Sequence, residues 1–258
     1  MCMKDKCNAK INIGLKITGI KNGYHMLDST FVPISLYDYV EIEVSNKDEI
    51  IGMDIDMNNN IMYKALKLMK NKYNIEDYYR IKIDKNIPMQ AGLGGGSSDA
   101  ASVLHMLNEM NNLDLSNAEL AELALEIGSD VPFFIYNKPS KVKGRGEIIN
   151  ILDNFKKIYG VLIFDNLHFN TKIVYDTYDS IEKKEEIIND LELAARMMSG
   201  GERIKKIEKD LLDNGAYMTS LTGSGGAIFG LFEDMKSAIN AENKLIKEYA
   251  FVKSFESI

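Results

Sequence analysis

The chain has 258 residues, 45% apolar and 27% charged, with a net charge of −7, the profile of a water-soluble globular protein of one large domain or two small ones. That acidic balance argues against an extended nucleic-acid surface, so any anion-binding site is local. Cys2 and Cys7 form no CxxC pair or Cys/His cluster, which argues against a zinc site, and no apolar run has the length of a signal core or membrane span; a cytoplasmic protein with reduced thiols is expected.

Ile11, Ile13, Leu15 and Ile17 alternate with polar or small residues, which predicts a half-buried strand, and Val40, Ile42 and Val44 predict a second. Ile61, Ala65, Leu68 and Met69 share one face of a helix over 61–73. A strand over 79–84 leads into a glycine-rich loop and a helix from about Ser98 to Met110. Ser116 and Glu119 have capping-box spacing and open a helix that Gly128 closes. Val131 to Tyr136 reads as a strand. In the later half, strands are predicted over 159–164, 217–221, 227–232 and 251–255. Helices are predicted over 185–199, 202–213 and 235–248. This β-α-α-β-β-α-β order implies a ferredoxin-like layer, with helices on one face of an antiparallel sheet, and the boundary between halves falls near 152–157. The whole is an α+β chain, with domains expected at 1–153 and 154–258.

The loop Pro88-Met89-Gln90-Ala91-Gly92-Leu93-Gly94-Gly95-Gly96-Ser97-Ser98-Asp99-Ala100-Ala101 is the most informative segment. Glycine lets a ligand approach the main chain closely. Amides feeding a helix N-terminus gather unpaired donors and the positive end of the helix dipole, which suits a phosphate. No Lys follows Gly96, so this is not the G-x-x-x-x-G-K-[ST] loop; Ser97 replaces the last glycine of a dinucleotide fingerprint, which disfavours a nicotinamide enzyme. A flexible linker is disfavoured by the apolar helical face that follows, Ala100, Val103, Leu104 and Leu107.

Four further places carry candidate chemistry. Lys10 and Asn12 share a side of the first strand; Lys10 is either a solvated edge lysine or a balance for charge on a transferring phosphoryl group. Asp130, in Gly128-Ser129-Asp130-Val131-Pro132, is either a turn former or a general base. Leu221-Thr222-Gly223-Ser224-Gly225-Gly226-Ala227 is either a plain hairpin turn or, folded beside the first loop, a second holder of phosphates or acceptor. Tyr24 and His25 either belong to a plain loop or stack on and hydrogen-bond a flat ring. His105 and His168 have no motif context.

Taken together, Ala9-Lys10-Ile11-Asn12, the segment from Pro88 to Ala101, and that from Leu221 to Ala227 resemble the three motifs of the galactokinase, homoserine, mevalonate and phosphomevalonate kinase superfamily. Gly23-Tyr24-His25, Gly128 to Phe133, Gly144-Arg145-Gly146-Glu147 and Asn189-Asp190-Leu191-Glu192, in that order, narrow the resemblance to its diphosphocytidyl-methylerythritol kinase family. The resemblance implies a two-domain small-molecule kinase fold with the active site between the domains. It implies ATP-dependent phosphorylation of a hydroxyl on the erythritol part of a cytidine-diphosphate-linked substrate, within non-mevalonate isoprenoid synthesis. ATP phosphates would lie on Pro88, Gly92, Leu93, Gly94, Gly95, Gly96, Ser97 and Ser98. Lys10 and Asp130 match catalytic positions. Asn12, Tyr24, His25, Thr171 and Tyr175 match substrate-binding ones, and Thr222, Gly223, Ser224 and Gly225 the third motif. Mg²⁺ is expected with ATP and no protein ligand is assigned to it. No nucleic-acid or membrane partner is expected, and the chain would be a monomer or weak homodimer. The competing readings are another small-molecule kinase of the superfamily and a non-catalytic nucleotide-binding module. Two departures stand out: Gln90 occupies a position usually held by a small residue, and 164–169 lacks a proline common before the aromatic at Tyr175.

Overall fold

Asn22 and Gly23 both take positive φ, 51° and 77°, the two-residue turn that suits the twist of paired strands. They join β1 (Cys2–Lys21) to β2 (Tyr24–Ser45), two long strands that pair with each other. The computed structural model describes residues 2–182 and 187–258. The chain forms two units, each drawn from separate segments. One takes the chain up to Ala9, Leu36–Ile87 and Gly94–Lys138; the other takes Lys10–Ser35, Pro88–Leu93 and Pro139–Ile258.

In the first unit, residues Tyr39 to Ser45 of β2 pair antiparallel with β4 (Tyr78–Asp84), and β3 (Glu49–Ile51) runs parallel to β4. Tyr79, Ile81 and Ile83 are buried while Tyr78, Lys82 and Asp84 are exposed, the two-residue period of a half-covered strand. Four helices accompany this sheet: α1 (Ile61–Tyr73), α2 (Gly95–Met110), α3 (Asn117–Ile127) and α4 (Val131–Tyr136). Asn60 opens α1 by accepting the Met62 N–H at 2.9 Å, and left-handed Asn74 closes it. The expected capping box at Ser116 and Glu119 is present. Gly128 ends α3 in an extended conformation open to any residue, so a left-handed cap is not what glycine supplies there.

In the second unit, β5 (Ser140–Gly144) and β6 (Ile148–Ile151) form a hairpin on residues Leu27 to Phe31 of β2. A separate antiparallel sheet contains β7 (Tyr159–Phe164), β8 (Met218–Leu221), β9 (Ala227–Phe232) and β10 (Phe251–Glu256), in the order β10-β7-β9-β8. In chain order that is 4-1-3-2, the arrangement of a ferredoxin-like sheet. Helices α5 (Thr171–Asp179), α6 (Asp190–Met197), α7 (Glu202–Asp213) and α8 (Met235–Leu245) complete the unit. Ile204, Ile207 and Leu211 of α7 and Ala238, Ala241 and Leu245 of α8 join Val161, Ile163, Ile228 and Phe232 of the sheet in one core.

The α+β class is as expected. Four differences are informative. Val131 to Tyr136 is a helix, not a strand: six apolar residues carry no period that separates the two, and Pro132 suits a first helical turn better than a strand interior. Helix α5 (Thr171–Asp179) is a third helix between the first two strands of the later half, where the sequence pattern predicts two. The helix expected over 185–199 is α6 from Asp190 to Met197, and its residues 185 and 186 lie outside the described residues. The β5–β6 hairpin is a further addition to the expected elements.

Candidate active site

Within the first unit, the glycine loop delivers the chain into α2. Gly94, at φ 70°, precedes the helix and has no side chain with which to cap it. Gly95, Gly96, Ser97 and Ser98 form the first turn, so the helix starts ahead of the expected Ser98 and its leading amides are presented without a competing side-chain oxygen. Asp130 sits in the turn between α3 and α4, half-buried, and its side chain makes no capping hydrogen bond to α4. Ile61, the first residue of α1, relates these places. Its side chain stands 3.5 Å from where a Cβ on Gly96 would lie and 3.7 Å from the equivalent point on Gly128.

Beneath the start of α2 lies a buried ion cluster with no recognisable sequence signal. The Lys85 ammonium pairs with Asp38 and, at 2.9 Å, with Asp99. Asp38 also accepts the N–H groups of Asn86 and Ile87, at 2.6 and 2.8 Å, where the chain leaves β4 for the loop. Burial pushes the Asp99 carboxyl up to about 7. Three residues far apart in sequence, Asp38 on β2, Lys85 after β4 and Asp99 on α2, thus tie the loop entrance to the helix that receives it.

Within the second unit, the other end of the loop meets the third glycine segment backbone to backbone. Gly92 takes φ 81°, and a Cβ on it would stand 2.2 Å from the Thr222 carbonyl oxygen; a Cβ on Gly225 would stand 2.1 Å from the Gly92 nitrogen. The Ala227 N–H donates to the Ala91 carbonyl at 3.1 Å. The segment from Leu221 to Ala227 is therefore a hairpin turn between β8 and β9 and also folds against Ala91 and Gly92. Gln90, at φ 58° and exposed, makes the turn into this contact without the small residue usual there.

Lys10 belongs to the same unit and is 3% exposed, which overturns the edge-lysine reading. Its ammonium donates to Asn12 Oδ1 at 2.6 Å and to the Gly92 carbonyl at 3.0 Å. Its backbone N–H donates to the Leu93 carbonyl at 2.9 Å, and its ammonium lies 4.8 Å from the centre of the Phe31 ring. Asn12 donates its own backbone N–H to Thr222 Oγ1 at 3.1 Å and its amide nitrogen to Ser29 Oγ at 3.1 Å. Ser29 in turn donates to the Gly14 carbonyl. That directional chain leaves the Asn12 amide oxygen, rather than its nitrogen, facing the Lys10 ammonium.

The remaining candidates form two groups, again within the second unit. His25 Nε2 bonds both carboxylate oxygens of Asp179, at 2.9 and 3.0 Å, and its ring meets the Tyr175 ring at 4.6 Å with a 31° tilt. Tyr175 and Asp179 are four residues apart on α5 and so share a face, a relation that exists only because this segment is helical. The Arg145 guanidinium lies 3.7 Å from the centre of the Tyr24 ring. Thr171, the first residue of α5, bonds Ser224 of the third segment at 3.0 Å. Both border a cavity of about 490 Å³ together with Gln90, Gly92 and His168.

Two family segments match this chain: the GHMP kinases N terminal domain over residues 60–138 and the GHMP kinases C terminal region over 177–250. A 4-diphosphocytidyl-2-C-methyl-D-erythritol kinase of Clostridium tetani is 39% identical over 274 residues, covering 96% of this chain and 97% of its own length. A protein of the same name from Clostridium botulinum strain Langeland is 37% identical with the same coverage. A crystal structure of 4-(cytidine 5'-diphospho)-2C-methyl-D-erythritol kinase superposes with a TM-score of 0.84 at 28% identity, covering 99% of each chain. The mevalonate kinase of Methanococcus jannaschii superposes at 0.75 with 16% identity, covering 100% of this chain and 99% of its own, a likeness of fold. No helix among the described residues is long and apolar enough to cross a membrane.

Proposed function

This chain belongs to the 4-diphosphocytidyl-2-C-methyl-D-erythritol kinase family of the GHMP kinases, and from that premise we propose that it moves the γ-phosphoryl group of ATP onto the 2-hydroxyl of 4-diphosphocytidyl-2-C-methyl-D-erythritol, in non-mevalonate isoprenoid synthesis. The observation that carries the reading at the level of chemistry is Lys10, a buried ammonium gripped by Asn12 and by the carbonyl of the loop residue Gly92.

Phosphoryl transfer needs alignment and charge stabilisation more than covalent help. The amides of Gly94, Gly95 and Gly96 and the hydroxyls of Ser97 and Ser98 hold the phosphates, with Pro88, Gly92 and Leu93 shaping the approach. Asp130 takes the proton of the attacking hydroxyl, and Lys10 offsets the charge that develops. Asn12 and Thr171 contact the acceptor. Tyr24, His25 and Tyr175 hold the cytosine, and Thr222, Gly223, Ser224 and Gly225 close the site behind Lys10. The uncapped first turn of α2 fits a phosphate with its magnesium, because magnesium leans on phosphate oxygens and water more than on protein. Mg²⁺ supplies charge neutralisation when bound; no side chain is assigned to it.

The same proposal places the enzyme in the cytoplasm as a monomer or weak homodimer. It gives nucleotide binding to residues 1–153 and substrate binding to 154–258, although Asn12, Tyr24 and His25 come from before that boundary. The boundary lies between the two matched segments.

A coupled ADP-release assay with the cytidyl substrate tests the proposal on wild type and Asp130→Asn. Turnover by wild type and a loss of at least about a hundredfold in the variant are expected. Phosphorylation of homoserine or mevalonate in place of the cytidyl compound, or ATP binding without turnover, overturns it.

A further inference from the structure

Asn189 is 0% exposed and uses every hydrogen-bonding atom of its side chain. Its amide nitrogen donates to two carbonyls of the third glycine segment, Leu221 and Gly223, both at 2.8 Å. Its amide oxygen accepts the Leu191 N–H at 3.0 Å and so opens α6. Glu192, 4% exposed, accepts the Leu221 N–H from the other side at 3.0 Å, and Arg196 pairs with its second oxygen at 2.5 Å. Asp190, between them, accepts the Ile17 N–H at 2.9 Å and pairs with Lys16 at 3.0 Å. The Leu15 N–H donates to the Ile188 carbonyl at 2.9 Å. The segment Asn189-Asp190-Leu191-Glu192 therefore holds β1 with one side chain and residues Leu221 to Gly223 with two.

The residue between the two gripped carbonyls is Thr222. Its hydroxyl receives the Asn12 backbone N–H and donates to Asn12 Oδ1 at 3.3 Å, the oxygen that also holds the Lys10 ammonium. Gly223, in the left-handed region at φ 60°, passes close enough that a Cβ on it would stand 3.6 Å from Lys10 Nζ. A displacement of a few tenths of an ångström at Leu221–Gly223 is therefore passed to the ammonium through one side chain. Asparagine suits position 189 because only an amide offers two donors to a pair of carbonyls together with an acceptor for the helix start.

We infer that Asn189 is a positioning residue for Lys10, acting through Thr222, with Glu192 as the second jaw of the same clamp. The inference takes the role of Lys10 from the proposed function; the clamp itself stands on geometry.

The test compares wild type with Asn189→Ser and Glu192→Gln as full-length proteins. Serine keeps an oxygen for the α6 start and replaces the two amide N–H donors with a single, shorter hydroxyl, which cannot serve both carbonyls; glutamine keeps an oxygen for the Leu221 N–H and loses the charge. Hydrogen exchange is read over residues 218–227, and kcat and KM for ATP and the cytidyl substrate are measured at a temperature where circular dichroism shows each variant folded. Faster exchange confined to that peptide is expected in both. A kcat lowered at least about tenfold in Asn189→Ser, with both KM values within about threefold of wild type, is expected, and a smaller kcat loss in Glu192→Gln. The double variant Asn189→Ser with Thr222→Val is expected to lose no more than Thr222→Val alone, because the two act in series. A folded Asn189→Ser with wild-type kcat, or fully additive losses, overturns the inference. If Asn189→Ser does not fold, wild-type exchange and kcat in Glu192→Gln overturn it. Failure of wild type to phosphorylate the cytidyl compound counts against the proposed function instead, and the exchange readout still decides the clamp.

Discussion

Thr222 and Asn12, 210 positions apart in the chain, hold each other twice: the Asn12 N–H donates to the Thr222 hydroxyl at 3.1 Å and that hydroxyl donates back to the Asn12 amide oxygen at 3.3 Å. Both are buried, so neither has water as an alternative partner. Valine at 222 keeps the shape and deletes the hydroxyl. A buried N–H left unpaired costs about 1–3 kcal/mol, and the Asn12 oxygen loses one of the two donors that orient it toward Lys10. Thr222→Val is therefore expected to lower the urea midpoint and to cut kcat about ten- to a hundredfold, with Thr222→Ser close to wild type in both. Wild-type kcat in Thr222→Val would sink the claim that this pair orients Lys10.

The two glycine segments meet with no room for a side chain, and distances rank the expected damage. A Cβ on Gly225 would stand 2.1 Å from the Gly92 nitrogen and 2.2 Å from the Ala91 carbonyl carbon, which are backbone atoms that cannot swing away. At Gly223 the nearest atom would be 3.4 Å away, so the penalty there is the left-handed φ, about 1–2 kcal/mol. Gly225→Ala is expected to lose more stability than Gly223→Ala by thermal melting, and to raise the KM for ATP as Gly92 is pushed out of place. Equal melting temperatures in the two variants contradict this ordering.

What is legible in the sequence follows from how local each signal is. The glycine loop, the capping box at Ser116 and the apolar period of α7 are written in neighbouring residues, and each appears where expected. Helix α5 has only nine residues, and its Asn170 cap is weak without knowing what Tyr175 and Asp179 face. Val131 to Tyr136 reads wrongly as a strand because a fully buried helix and a buried strand present the same unbroken apolar run. The roles of Ser29, Asp38 and Lys85 are set by partners 17, 48 and 14 residues away, and nothing adjacent to them announces it.

The two cysteines separate by environment. Cys7 is 2% exposed, and burial, with Asp99 nearby, pushes its thiol far above the usual range, so almost none of it is thiolate at neutral pH. Cys2 is exposed; its thiol is also raised, chiefly by its hydrogen bond to Glu41, yet reagent reaches it. A disulfide reagent at pH 8 is expected to titrate one thiol in the native chain and both in denaturant, and Cys2→Ser is expected to show none until unfolded. Rapid modification of Cys7 in the folded Cys2→Ser variant would show that β1 opens readily.

Asp99 gives the ion cluster under α2 a pH dependence of definite sign. Its carboxyl is pushed up to about 7 from an ordinary 3.8 because burial outweighs the attraction of Lys85, and Asp38 adds repulsion. One of its oxygens, Oδ1, is buried without a hydrogen-bond partner, so the ionised form lacks support there. The folded state therefore prefers the protonated form more strongly than the unfolded state does. The stabilisation from Asp99 is complete below about 3.8 and is lost as pH rises through about 7. Asparagine keeps an oxygen for Lys85 and cannot ionise. The stability of Asp99→Asn relative to wild type, from urea midpoints at pH 5, 6, 7 and 8, is expected to improve from pH 5 to 7 and to level off by pH 8. A difference that stays flat over that range would mean that Lys85 already neutralises Asp99 at pH 5, and that the cluster holds the loop entrance as a fully charged triad.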